Sequence, residues 1–311
     1  MHAQTLLAFL VLASTLPPGQ DQKPKESQRP VSLRFGIYTS DRPSLIYKFF
    51  WQVLQDLEDG ATKALGRQVG IELVLYKGYE ESLEAFLRGE VDFVRFGPAS
   101  YVLAKQRNPE IQLLAAEQDD GKKLSHGVIF VRADSPVRKL ADLKGRRFAF
   151  GDDSSTIGRY LSQAELAKAG VLGKDLAGFK YLGRHDKVAA AVQAGDFDAG
   201  AVHLWNFEEA GQSTKLRELA RFPNLSKPWL ARAGLPKDVC DALRSALLGM
   251  NQPQTLKVLK VTGFLPVEDE EFDFVREGME KARSFEVGMP KTEEHPPAAP
   301  GGAAPRDAKR R

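Results

Sequence analysis

Two nonapeptides decide how the chain is divided: Glu84-Ala-Phe-Leu-Arg-Gly-Glu-Val-Asp92 and Ala190-Ala-Val-Gln-Ala-Gly-Asp-Phe-Asp198. Each reads as a helix stopped by glycine, then an acidic residue, an apolar residue and an aspartate that leads into a buried strand. One copy lies in each half of the core, which predicts two similar α/β lobes whose facing edges form a cleft. Helix-glycine-strand is also a common local solution, so the repeat by itself leaves that division open.

Outward from these copies, short β runs alternate with helical stretches, which predicts an α/β protein with open, mostly parallel sheets. Strands are expected at Leu33 to Tyr38, Ile71 to Tyr76, Val91 to Phe96, Ile111 to Ala116, Gly127 to Arg132, Arg147 to Phe150, Phe179 to Leu182 and Phe197 to Val202. Helices are expected at Leu45 to Leu65, Tyr79 to Arg88, Ala99 to Gln106, Ile157 to Ala169, Asp186 to Ala194, Pro236 to Leu248 and Glu268 to Ser284. Lys122 to Ser135 reads as the exit from the first lobe and Leu219 to Ala231 as the return. Lobe one is then 31–122 plus 226–286, and lobe two is 123–225. Two crossings make a hinge, and clefts at domain interfaces favour small-molecule sites.

The composition narrows the function classes. Lys+Arg 44 against Asp+Glu 41 in 311 residues gives a formal charge of +3 and no broad basic surface, so nucleic acid is not an expected partner. The single cysteine, Cys240, excludes a disulfide framework within the chain and a CxxC motif. The five histidines have no HExxH spacing, and no GxSxG elbow, P-loop or GxGxxG fingerprint is present. Neither a metal nor a cofactor is expected, although catalysis assembled from distant residues stays open.

At the amino terminus an apolar run from residue 5 to residue 16 has the length of a secretory h-region and is too short to span a bilayer comfortably. Residues 1–22 are therefore expected to be a signal peptide and 23–30 a linker, with an extracytoplasmic mature protein. The Pro/Ala/Gly-rich stretch 287–311 has almost no large apolar side chain and is expected to be a disordered tail.

The chemistry is expected in Arg147-Phe-Ala-Phe-Gly-Asp-Asp-Ser-Ser-Thr-Ile-Gly-Arg-Tyr160. A strand ends at Phe150, a polar loop follows and a helical pattern starts near Thr156, so Ser154, Ser155 and Thr156 meet free backbone N–H groups at a positive helix end. That geometry binds anions. An ordinary Ser/Thr N-cap gives the same local pattern. Asp92, Asp152, Asp153 and Asp198 read as turn and cap residues, because carboxylates repel an anion. Cys240 falls in the apolar pattern of Val239, Leu243, Ala246 and Leu247 and reads as core filling.

From Leu33 to Ser284 the chain resembles the phosphate/phosphite/phosphonate-binding proteins of ABC transporters, which have the type II periplasmic-binding-protein fold. The resemblance rests on Phe96-Gly-Pro-Ala-Ser-Tyr-Val-Leu-Ala104, Leu140-Ala-Asp-Leu-Lys-Gly-Arg-Arg-Phe-Ala-Phe-Gly-Asp152, Ser155-Thr156 before Gly158, Arg184-His-Asp186, Asp198-Ala-Gly-Ala-Val202 and Pro228-Trp-Leu-Ala-Arg-Ala-Gly-Leu-Pro236. It implies two lobes that close on a small phosphorus oxyanion, delivery to a membrane permease, no bond made or broken, and a monomer. It implies Ser155 and Thr156 as the ligand hydroxyls, His185 as the ligand histidine, and Tyr101 and Tyr47 as tyrosines from the other lobe. His185 would lose charge near neutrality, so affinity would fall as pH rises.

Two departures stand out against that family. Ile157 replaces a third hydroxyl residue, and Val202-His-Leu-Trp205 lacks the carboxylate that often meets a ligand ammonium, which favours a simple oxyanion or an unfamiliar phosphonate over an aminoalkylphosphonate and leaves open a relative that has lost the ancestral ligand. Two other readings remain: a sensory protein docking on a receptor kinase, and an enzyme or pyrimidine-binding protein on the same fold, for which Trp205 or Trp229 would supply aromatic walls.

Overall fold

The structure, a computed structural model, describes residues 29–39, 43–211 and 215–287. The expected signal peptide, most of the linker and nearly all of the tail lie outside the described residues.

The chain starts with β1 (Val31–Tyr38), α1 (Pro43–Leu65), β2 (Val69–Tyr76), α2 (Tyr79–Leu87), β3 (Phe93–Arg95), α3 (Pro98–Arg107) and β4 (Gln112–Gln118). It crosses to β5 (Leu124–Arg132) and β6 (Arg147–Phe150), then runs through a π-helical turn, Thr156–Leu161, into α4 (Ser162–Lys168). β7 (Gly178–Tyr181), α5 (His185–Ala194), β8 (Ala199–His203), α6 (Leu204–Gly211) and β9 (Leu216–Leu225) complete the second sheet. β10 (Pro228–Ala231), α7 (Lys237–Leu248), α8 (Pro253–Leu259), β11 (Gly263–Leu265) and α9 (Asp273–Phe285) follow the return.

The result is a six-stranded sheet, β11-β4-β10-β3-β1-β2, and a five-stranded sheet, β7-β6-β8-β5-β9. The two repeated nonapeptides are built alike. Gly89 and Gly195 take φ of 72° and 84°, the left-handed conformation that ends each helix. Asp92 then donates its N–H to Arg34 O at 2.8 Å and accepts Arg34 N–H on Oδ2 at 2.8 Å. Asp198 does the same with Arg147, at 3.0 Å and 2.8 Å. Each aspartate thus ties the entry of its own strand to the neighbouring parallel strand, and that role accounts for its place in the motif.

The sheets are less parallel than expected. β2-β1-β3 and β7-β6-β8 are parallel. β10 enters antiparallel between β3 and β4, β11 is antiparallel to β4, and β5 is antiparallel to β8 and β9. Most of the antiparallel pairing involves β5, β9 and β10, the strands of the two crossing segments.

Apolar residues form separate cores in the two lobes. In lobe one Phe35 stacks on Trp229 with centroids 4.9 Å apart. In lobe two Phe150 packs edge-on against Phe179 at 5.4 Å. Placing 226–286 wholly in lobe one does not hold for α9. Val275 packs in a lobe-one cluster, whereas Phe285 lies 5.6 Å from Phe150 in the lobe-two core. Arg159 and Glu286 add an ion pair at 2.7 Å. The last helix therefore bridges both lobes beside the two crossings.

Candidate ligand-binding site

β1, β6 and β8 end at the gap between the lobes, where open α/β sheets place their ligands. The gap is a cleft of about 780 Å³ lined from both sides.

The loop after β6 folds tightly on itself. Gly151 N donates to Gly158 O at 2.9 Å, and Ser155 Oγ accepts Gly158 N–H at 3.0 Å. A Cβ at Gly158 would stand 2.9 Å from Ser155 Cβ and 3.0 Å from Asp152 N, so the loop closes only around a glycine. Ser155 is the N-cap of the π-helical turn, and Thr156 is its first residue. Thr156 Oγ1 accepts the Ala99 N–H at 2.9 Å. That bond joins the first turn of α3 in lobe one to the anion-type loop of lobe two.

Lobe one supplies two tyrosines that sequence reading missed. Tyr38 ends β1 and Tyr79 opens α2, and their rings pack with centroids 3.9 Å apart. Their hydroxyls are hydrogen-bonded to each other, and Tyr79 also bonds Ser155. Burial, helped by Tyr79, holds the Tyr38 phenol well above its ordinary range, and burial also raises Tyr79. Both therefore remain protonated donors. The signal was available: a phenol at a strand's carboxyl end and another at the start of the next helix both fall at the cleft edge.

His185, the first residue of α5, lines the cleft as expected. Its Nδ1 is buried without a hydrogen-bond partner. Burial, then the neighbouring His203 and Lys227, lower its pKa to about 4. The expected titration near neutrality is thus corrected: the ring is neutral throughout the physiological range. His203 is likewise lowered to about 4 by burial, Lys227 and His126. Lys227, in the return crossing, is lowered to about 8, chiefly by the Arg95 charge.

Three expected contacts fall elsewhere. Tyr101 is fully buried, packs its ring tilted against Phe272 with centroids 4.3 Å apart and donates its hydroxyl to Asp269. It lies one turn inside α3, on the face that packs against the C-terminal segment. Tyr47 is 52% exposed on α1, and its hydroxyl donates to Leu73 O at 3.3 Å. Ser154 donates from Oγ to Asp153 at 3.2 Å and from N to Asp152 at 2.9 Å, so it shapes the loop without lining the cleft. Ile157 is buried in the lobe-two core with one side toward the cleft, an apolar wall where a hydroxyl was lost.

Asp152 caps the loop as expected, yet it also lines the cleft, and burial raises its carboxyl pKa. Trp229 is wholly inside lobe one with Nε1 donating to Glu117 at 3.1 Å. Trp205 lines the cleft with Lys260 over its ring. Cys240 is buried in the lobe-one core, where burial raises its thiol pKa and removes it from any cleft chemistry. Among the described residues no group of His, Cys, Asp and Glu could hold a metal ion.

Comparison with known proteins places these features in context. Residues 35–272 match the family model of the phosphonate ABC transporter periplasmic substrate-binding protein. The chain is 25% identical over 240 residues to the probable ABC transporter phosphite-binding protein PhnD1 of Prochlorococcus marinus, covering 70% of this chain and 80% of that one. It is 32% identical over 156 residues to the phosphate-import protein PhnD of Mycolicibacterium smegmatis, covering 46% and 48%. The solved structure of P. marinus PhnD1 in complex with methylphosphonate superposes with a TM-score of 0.69 at 23% identity, covering 81% of this chain and 98% of that one. The structural likeness establishes the expected two-lobed fold.

Proposed function

The chain belongs to the family of periplasmic substrate-binding proteins of phosphonate ABC transporters, and from that premise we propose that it captures a small phosphorus oxyanion by lobe closure and delivers it to a permease. The ligand is a phosphonate, phosphite or phosphate. The observation that carries this reading is the convergence of Tyr38 and Tyr79 from lobe one with Ser155, Thr156 and His185 from lobe two around one cleft.

The chemistry fits an anion held by neutral donors. Protonated phenols, hydroxyls, an imidazole N–H and the N-terminal amides of the π-helical turn can each donate to an oxygen on phosphorus. Few of these groups are fixed charges, so binding needs no large Coulomb term that would also hold the ligand against release. Asp152 accepts a proton-bearing oxygen, which suits a monoprotonated phosphonate and works against an oxyanion that has none to donate. Thr156 holds Ala99 across the gap, and the hydroxyl and the α3 amide become available to a ligand oxygen together.

The family implies a location outside the cytoplasm, reached in our reading by removal of the apolar segment within residues 1–22. No helix among the described residues is long and apolar enough to cross a membrane. The protein acts as a monomer without cofactor and performs no catalysis, because closure of one pair of lobes is the whole cycle.

Calorimetric titration with phosphite, phosphate, methylphosphonate and sulfate tests the reading. Saturable one-to-one binding of a phosphorus oxyanion is expected, with sulfate much weaker. Equal response to sulfate, or none to any phosphorus compound, would refute it.

A further inference from the structure

The cleft contains more than the donors a single PO₃ group needs. His126 lies on β5 next to Gly127, which is paired with His203 at the end of β8. Lys227 stands in the return crossing, where Ser226 N donates to Lys123 O at 2.7 Å and so ties the two crossings together. All three side chains line the same cleft, beside His185. His203 Nδ1 accepts the Trp205 N–H at 3.2 Å, which places the proton of the neutral ring on Nε2 and leaves that nitrogen as a donor.

These groups have no counter-charge of their own. Lys227 depresses both His203 and His185, and His126 depresses His203. The carboxylates that act on the group are Glu117 and Asp186. Glu117 is occupied by the Arg95 guanidinium, with one contact at 2.9 Å, and by Trp229 Nε1. Asp186 is held by Arg184 at 2.9 Å. Positive and donor groups converge while Glu117 and Asp186, the carboxylates that act on them, are already paired, and the buried His185 Nδ1 beside them is without a partner. An anionic group entering this part of the cleft would meet the Lys227 charge and the imidazole donors together.

We propose that the cleft binds a phosphorus oxyanion whose substituent ends in a second anionic group, carboxylate or phosphoryl, and that His126, His203 and Lys227 receive that second group. The inference deepens the oxyanion reading above and rests on it. Ser155, Thr156, His185 and the two tyrosines hold the phosphorus end, while Lys227 places the far charge at the hinge between the crossings. Anion binding there links the ligand's length to lobe closure. A ligand ammonium would meet Lys227 and two imidazoles and is disfavoured.

The test is calorimetry on the full chain with ethylphosphonate, 2-aminoethylphosphonate, 3-phosphonopropionate and methylenediphosphonate. At least one of the last two is expected to bind about tenfold or more tighter than ethylphosphonate, with 2-aminoethylphosphonate weakest. The two doubly charged ligands separate a carboxylate from a phosphoryl preference. Lys227→Gln is expected to erase most of the advantage over ethylphosphonate, and Lys227→Arg to retain it. Ethylphosphonate binding as tightly as both doubly charged ligands overturns the inference and leaves the oxyanion reading standing. An advantage that survives Lys227→Gln also overturns it. Failure of all four ligands and of phosphite removes both readings.

Discussion

In the proposed site Tyr38 and Tyr79, which line the cleft, take the places that the family resemblance gives to Tyr101 and Tyr47, and that proposal is testable one hydroxyl at a time. Tyr79→Phe removes a hydroxyl that accepts from Tyr38 and Ser155 and leaves its own proton for the cleft, and is expected to weaken oxyanion binding by about tenfold, a loss of ~1.4 kcal/mol. Tyr101→Phe is expected to leave affinity unchanged and to lower stability by about 1–2 kcal/mol, because Asp269 loses its phenol donor. Equilibrium binding and chemical denaturation of the two variants separate these outcomes. Thr156→Val should weaken binding and also strand the buried Ala99 N–H, at a cost of about 1–3 kcal/mol in the closed form. The cleft position of Ser155, Thr156 and His185 was legible because a polar loop after a strand and the start of the next helix both fall at the sheet's carboxyl edge. The tyrosines were not, because a phenol reads equally well as packing, and only the fold shows which one faces the gap.

At the scale of elements, the loop from Gly151 to Gly158 is the part whose shape the function cannot do without. Gly158→Ala puts a methyl group against Ser155 Cβ and the Asp152 amide. It is expected to cost about 1–3 kcal/mol of stability and to weaken ligand binding by at least about tenfold. Thermal unfolding and titration of the same variant check both. The repeated helix-glycine-aspartate-strand unit was visible from sequence because its glycine and aspartate each have a fixed job in the backbone. β9, β10 and β11 were not resolved as strands. β9 is an edge strand containing Pro223, β10 is only four residues long and starts with Pro228, and β11 has three residues. Short runs with proline read as crossing segments, and only pairing with distant strands makes them sheet. The helical stretch from Ile157 was foreseen, whereas its π-helical first turn follows from the packing of Gly151 on Gly158.

At the scale of the whole molecule, the two lobes meet at two crossings and one bridging helix, with the ionisable groups of the cleft between them. That arrangement determines the pH behaviour. His185 and His203, each lowered from 6.5 to about 4, are neutral in the folded state and take up protons more readily when unfolded. Stability is therefore expected to fall as pH drops from about 6.5 through about 4, as denaturation across that range would record. Lys227, lowered from 10.5 to about 8, is charged below that value. Affinity for an anion reaching it is expected to fall as pH rises past about 8. The most direct test of the central claim is calorimetric titration of the protein and of the Ser155→Ala/Thr156→Val double variant with phosphite, methylphosphonate and phosphate. The account predicts one-to-one binding of at least one of these and its loss, by about a hundredfold or more, in the double variant. Equal affinity in both proteins, or no binding to either, would contradict it.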